Sequence, residues 1–232
     1  MSRVMLEPAF VLHSRPYQNS SLIVELFTLR FGRMTVIARS ARGPRSRYQG
    51  KLQLFSPLLV SWSGRSDLKC LGEMECHGVA YQLEGKALLC GFYLNELLIR
   101  LLKHEDPYPE IYHCYQQLLH DFEKNDFVEA ELRYFEKNLL RELGYELSLN
   151  HDVITASHIS PELTYRYDPD RGFIQAMMLD NDLTLFSGHF LRAFDQESLE
   201  TLEDCRSAKR LMRLALVRHL GDKPLHTRLL MY

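Results

Sequence analysis

The sequence predicts an α+β protein: an N-terminal five-stranded barrel of the OB type, followed by a mainly α-helical domain that carries a short β-hairpin insertion. Three observations predict it. Residues 1–80 hold five short apolar runs separated by turn residues, the pattern of a small barrel. From about residue 82 the apolar positions recur at threes and fours, the helical spacing. Within 145–186, LTYRYDP and GFIQAMML flank turn residues and read as a hairpin. The domain boundaries are therefore 1–80 and 81–232, with 145–186 an irregular, hairpin-bearing segment of the second.

The strands come in order. AFVLHSRPY (9–17) and SSLIVELFT (20–28) flank a polar turn. RMTVIAR (33–39) alternates, with Met34, Val36 and Ala38 on one face and Arg33, Thr35, Ile37 and Arg39 on the other. KLQLFSPLLVSW (51–62) is read as a long strand bent at Pro57, and 66–80 as a fifth. A five-stranded SH3-like barrel fits the same pattern. The helices follow. Leu88, Phe92, Leu94, Leu97, Leu98, Leu101 and Leu102 mark the first, and IYHCYQQLLHDFEKN (111–125) the second. Asp126 is expected to cap a third over 127–144, with Glu129 in a capping-box position and Gly144 as its stop. A last helix opens acidic near Asp195 and closes basic before Gly221, which suits the helix dipole.

Composition excludes several classes. At 232 residues, 46% apolar and 25% charged, the chain buries a core without staples. Its apolar stretches are broken by Asn95, Glu96 and Arg100, so no membrane span is expected, and MSRVMLEPAF lacks a signal-peptide core. A cytoplasmic protein is the expectation. Five cysteines, odd in number and without C-x-x-C spacing, read as buried free thiols. The ten histidines show no H-x-H or H-E-x-x-H, so no metal is expected. P-loop, dinucleotide-loop and nucleophile-elbow motifs are absent, and no cofactor is expected. Glu73 and Glu75 share one strand face and are expected in solvent; Asp180 and Asp182 flank a turn. No catalytic residue is assigned.

The net charge of −2 hides an asymmetry. Residues 1–80 carry eleven Lys/Arg against five acids, +6; residues 81–232 carry seventeen against twenty-five, −8. The density peaks in RFGRMTVIARSARGPRSRYQGK (30–51), with seven positive side chains, six of them Arg, and no acid. Arginine forks onto phosphate better than lysine. A basic module joined to an acidic remainder points to nucleic-acid contact. Ser, Gly and Pro at its centre predict a mobile loop.

The blocks FVLHSRPY, SLIVELFT, GRMTVIARSARG, LQLFSPLLV, GFYLNELL, LRYFEKNLLRELGY, GFIQ and RSAKRLMRLALVRHLGDKPLHTR, in this order from about residue 9 to 228, resemble the RecO family of recombination mediators. The resemblance implies an OB-fold, a helical C-terminal domain, binding of single- and double-stranded DNA, and annealing of complementary strands. It implies RecR and the acidic C-terminal tail of single-stranded-DNA-binding protein as partners, and help in loading RecA. Many relatives carry a four-cysteine zinc knuckle after the L-GY motif. Here GYELSLNHDVITASHISPEL has no cysteine, and His151 with His158 cannot complete a tetrahedral site.

Residue roles follow. Arg33, Arg39, Arg42, Arg45, Arg47 and Lys51 are the DNA-contact candidates, with Arg15 and Arg65 weaker ones. Tyr48 is read either as a stacking face for a base or as a ring folded back onto the barrel. On the third helix, Arg133 and Arg141 are candidates for the partner-tail carboxylate, about 80° apart around the axis, with Leu132, Phe135 and Leu98 lining a pocket for the aromatic residue before it. The plain alternative for Arg133 is a surface ion pair with Glu129. Lys209, Arg210 and Arg213 form a further basic cluster. Against the mediator stand two rivals: a protein–protein adaptor with an incidental basic loop, and an uncharacterised enzyme with a deep pocket of perturbed titrating groups.

Overall fold

The computed structural model describes residues 2–65, 68–124, 129–177, 183–221 and 223–227. The strands of the first part are β1 (Ser2–Tyr17), β2 (Ser21–Thr28), β3 (Gly32–Ala38), β4 (Leu58–Gly64) and β5 (Lys69–Cys76). They close a barrel in the order β1-β2-β3-β5-β4, with β3 and β5 parallel and the other neighbours antiparallel. This is the OB arrangement expected from the sequence. At 16 residues, β1 is long enough to pair with β2 through its second half and β4 through its first, bending at register shifts after Val4 and Val11. Met34, Val36 and Ala38 point into the barrel with Val24, Leu26, Val60, Trp62 and Leu71, as the period of two requires. β4 starts only after Pro57, which has no N–H to give a ladder; of the residues before it, Leu54 makes an isolated bridge to Val11.

Two helices complete this unit, α1 (Gly85–Leu101) and α2 (Pro109–Glu123). They pack on the outside of β1 and β2. Phe10 and Phe27 meet the rings of Tyr112 and Tyr115 at 5.2–6.1 Å. Asn95 of α1 donates from Nδ2 to the Leu12 carbonyl at 3.0 Å, which suits the break in β1, and accepts from Tyr115 Oη at 2.6 Å. After α1 the chain lies along β3: Glu105 N donates to Arg33 O at 2.9 Å, Thr35 N to His104 Nε2 at 3.0 Å, and Lys69 Nζ meets Glu105 at 2.7 Å. Among the described residues β3 and β5 pair in parallel at Val36–Lys69 and Ile37–Cys70, and this strap continues along β3 beside them. The compact unit comprises Met1–Phe127 with Pro224–Tyr232. Its returning segment is held by Glu96 of α1, which accepts from His226 N, Thr227 N and Thr227 Oγ1 at 2.6–2.9 Å.

The second unit is Val128–Lys223. It holds α3 (Glu129–Glu142), β6 (Thr164–Asp168), β7 (Gly172–Gln175), β8 (Leu185–Ser187), α4 (Gly188–Asp195) and α5 (Leu202–Leu220). The expected cap Asp126 and the turn at Asp180 and Asp182 lie outside the described residues. Gly144 (φ 82) ends α3 in a Schellman arrangement, with Gly144 N bonded to Arg141 O and Tyr145 N to Leu140 O. The hairpin β6–β7 is present, and β8 adds a third strand beside β6 that the sequence reading did not include. α4 was likewise not read. Its signal is Ser187, whose Oγ accepts from Phe190 N as an N-cap, before the apolar spacing Phe190, Leu191, Phe194. The last helix starts at Leu202 because Thr201 caps it, later than the acidic run suggested.

After α3 a buried carboxylate organises the irregular segment. Asp152 is buried; its Oδ1 accepts from Ile154 N and Thr155 N at 2.8 and 2.9 Å, and its Oδ2 from Gln175 N of β7 at 2.7 Å. The His151 and His158 rings lie 4.3 Å apart.

Candidate nucleic-acid interface

The candidate interface is the connection from β3 to β4. Residues 39–51 follow one another in turns, closed by Gly43 N to Ser40 O, Ser46 N to Gly43 O, Gln49 N to Ser46 O and Lys51 N to Tyr48 O at 3.1–3.3 Å. The segment read as mobile is thus built from local hydrogen bonds and tied down at three places. Arg42 N donates to Ser20 O at 2.9 Å, and Arg42 Nη2 to the carbonyls of Gln18 and Asn19, which fixes the loop to the β1–β2 turn. Tyr48, 3% exposed, places its ring in the barrel core. Lys51 Nζ reaches Met74 O of β5 at 3.5 Å. Tyr48 has therefore folded back onto the barrel, and its ring offers no face to a base.

Arg39, Arg42, Arg45 and Arg47 are exposed and Lys51 is half-buried. None of the five has a carboxylate within 4.0 Å among the described residues, and Arg39 and Arg45 have no hydrogen-bond partner there either. Glu73 and Glu75 are exposed on β5, as expected. The two remaining cations of the 30–51 run are used by the fold. Arg33 donates from Nε to Leu102 O at 3.1 Å and pairs with Glu25 at 3.0 Å, so it joins β3 to β2 and to the strap. Arg30 pairs with Glu7, whose carboxylate has no exposure and also accepts from Arg30 N at 2.7 Å. Sequence reasoning missed Glu7; its signal was an acid inside the apolar strand VMLEPAF.

The partner-tail candidates fall on two units. Leu98 is buried on α1; Leu132 and Phe135 are buried on α3. Arg133 is no surface residue paired with Glu129. Its side chain is 7% exposed and Nη1 meets both oxygens of Glu136, one turn on, at 2.7 and 2.8 Å. Glu129 pairs instead with Lys209 of α5 at 3.5 Å. Arg141 is half-exposed, with Glu142 at 3.8 Å. In the C-terminal cluster, Arg210 donates to Leu185 O at 2.7 Å and lies over the Phe186 ring, so it serves packing.

Burial raises the Tyr48 phenol although Arg47 pulls it down, which keeps it protonated and able to donate. A cavity of about 300 Å³ in the second unit is lined by Tyr167, Asp168, Arg218 and His219 among others. His219 is lowered by burial and by Arg218, and Tyr167 is raised by burial. Both shifts come first from burial, which any core produces, and not from an acid–base pair. No helix among the described residues is long and apolar enough to cross a membrane.

A closed OB-type barrel with a cationic loop, continued by a helical unit, defines an α+β protein of the oligonucleotide-binding barrel type. The family model "Recombination protein O N terminal" matches residues 1–79, and "Recombination protein O C terminal" matches residues 82–229. The DNA repair protein RecO of Coxiella burnetii (strain CbuG_Q212) is 56% identical over 230 residues, 99% of each chain. That of Nitrosospira multiformis is 45% identical over 228 residues, 97% of this chain and 93% of its own. That of Pasteurella multocida is 43% identical over 220 residues, 94% and 91% of the two chains. The chain belongs to the RecO family, and its role lies in DNA repair and recombination.

Proposed function

We propose that the chain is a non-enzymatic recombination mediator that binds single- and double-stranded DNA along the 39–51 loop, anneals complementary strands and, with RecR and single-stranded-DNA-binding protein, assists RecA loading. One observation carries the DNA reading. Arg39, Arg42, Arg45, Arg47 and Lys51 stand on one ordered loop with no carboxylate partner among the described residues. A polyanion supplies the missing counter-charge, and phosphate contact is indifferent to sequence. The tail of single-stranded-DNA-binding protein is assigned to the helical unit. Arg141 is the cation proposed for its carboxylate, because Glu136 already holds Arg133.

The test is DNA binding by the full chain titrated with salt. Five phosphate contacts give a slope of log K against log salt of about −4.5 on duplex and about −3.5 on single strand. Between 50 and 200 mM salt that is roughly 500-fold and 100-fold. Replacing Arg42, Arg45 and Arg47 together by Glu is expected to abolish binding at moderate salt and leave tail-peptide binding unchanged. Arg141→Ala is expected to do the reverse. DNA affinity that survives the triple change removes this loop as the site and favours the adaptor reading.

A further inference from the structure

We infer that Tyr48 is a positioning residue for the Arg47 guanidinium and not a base-stacking platform, an inference that rests on the DNA reading of the loop. Its ring belongs to the buried barrel core that also holds Val36, Trp62, Leu71 and Met74, and at 3% exposure neither ring face is open to a nucleobase. Its hydroxyl, in contrast, stands where the loop meets β5. It donates to Leu71 O at 2.7 Å, with Gly72 O at 3.1 Å, and accepts from Arg47 Nη2 at 2.6 Å. Arg47 Nη2 also reaches Leu71 O at 3.2 Å, and the guanidinium carbon sits 4.8 Å from the Tyr48 ring centroid.

The geometry divides the guanidinium in two. Nη2 is held by the phenol and by the β5 carbonyl. The hydrogens on Nε and Nη1 have no partner among the described residues and remain for a phosphate. Arg39 and Arg45 carry the same charge on side chains that nothing fixes among the described residues. A side chain already held loses less freedom when the strand arrives, and each such side chain is worth about two- to tenfold in affinity. The β5 carbonyl alone does not fix the fork, because one acceptor leaves the guanidinium free to turn about it. The phenol supplies the second point. Burial keeps the phenol protonated, so it gives its hydrogen to β5 and its lone pair to Arg47 across the working pH range.

The experiment is equilibrium binding of the full chain to a fluorescein-labelled oligothymidylate, read by anisotropy over a salt series, for wild type, Tyr48→Phe, Arg47→Ala and the double variant. Tyr48→Phe keeps the ring and the core and removes only the hydroxyl. It is expected to weaken binding about two- to tenfold. Arg47→Ala is expected to weaken it further and to reduce the salt slope by about 0.7. The double variant is expected to match Arg47→Ala alone, because the hydroxyl acts through Arg47. Arg47→Lys, on an exposed side chain, probes the same coupling without touching the core: the charge stays, the fork is lost, and a loss in the same range is expected. Wild-type affinity in Tyr48→Phe or in Arg47→Lys overturns the inference and leaves the DNA reading standing. So does a loss from Tyr48→Phe that persists undiminished without Arg47. A wild-type chain that shows no salt-dependent binding overturns both.

Discussion

Arg30→Ala separates the cations that the fold uses from those it leaves free. Glu7 has no exposure, and its carboxylate accepts from Arg30 N at 2.7 Å and Arg30 Nε at 2.6 Å, with Nη2 also at 2.6 Å. Arg30 itself is 63% exposed. Removing the guanidinium leaves a buried carboxylate with one backbone N–H. Stripping one partner from a buried pair costs about 3–5 kcal/mol, and discounting for the water that reaches the exposed partner leaves about 2–3 kcal/mol. Glu7→Gln removes the buried charge and leaves Arg30 facing water. Its amide oxygen still accepts from Arg30 N, and the cost is about 1–2 kcal/mol. The exposed member of the pair is thus the more expensive one to lose. At about 2–4 °C per kcal/mol for a chain of this size, Arg30→Ala is expected to lower the melting temperature by about 4–12 °C. Urea and thermal denaturation give the comparison. In DNA binding the order inverts. Arg30→Ala keeps the wild-type salt slope, while Arg45→Ala melts like wild type and lowers the single-strand slope by about 0.7. Glu7→Gln proving costlier than Arg30→Ala, or Arg30→Ala flattening the slope as Arg45→Ala does, refutes this division.

Three further perturbations follow from buried polar groups and one close approach. Tyr115→Phe removes the donor to Asn95 Oδ1 in a fully buried site and is expected to cost about 1–3 kcal/mol in chemical denaturation. Gly32→Ala places a Cβ 1.7 Å from Asp106 O at φ +65, so the strap along β3 cannot seat. A loss above about 3 kcal/mol, seen as a collapse of soluble yield and melting temperature, is expected. Asp152 is pushed up by burial but more strongly pulled down by N–H donors from Thr155, Gln175 and Ile154, so its folded carboxyl lies below the usual 3.8. A depressed value stabilises the fold above the unfolded pKa and loses that contribution as pH falls through the folded one. Below about pH 3.8 wild type should therefore lose stability faster than Asp152→Asn, whose amide does not titrate, and above it Asp152→Asn should be the weaker protein because its NH2 group opposes Gln175 N.

Much of the barrel was legible because β3 obeys a period of two and its faces differ in chemistry: Met34, Val36 and Ala38 are core, Arg33 and Thr35 are not. The helices were legible by the same logic at a period of 3.6. What failed was context. Nothing local distinguishes Arg30 and Arg33 from Arg42 and Arg45, because their partners Glu7, Glu25 and Leu102 are distant in sequence and only the barrel brings them near. The surface pair of Arg133 with Glu129 fails for a related reason. Glu129 and Glu136 both lie within one turn of it, and spacing alone does not say which side of the helix is buried. The strand β8 has three residues, too few to show any period.

The placement of the cationic loop also has a cause in the packing of the barrel. OB modules bind oligonucleotides across the face of their second and third strands and on adjoining loops. Here the outside of β2 and β3 is taken. Phe27 is buried against Tyr112 and Tyr115, Arg33 holds Leu102 O, Thr35 holds His104, and Ile23 and Ile37 are buried. That face is packed against α2 and the strap within the first unit. Positive charge that the fold does not consume is left on the connection between β3 and β4, anchored at one end to the β1–β2 turn and at the other to β5. The one aromatic ring within its cationic stretch, residues 39–51, is Tyr48, and it is drawn into the core. On the proposed reading, the loop meets phosphate through its guanidinium groups and leaves the bases unengaged, as pairing with a complementary strand requires.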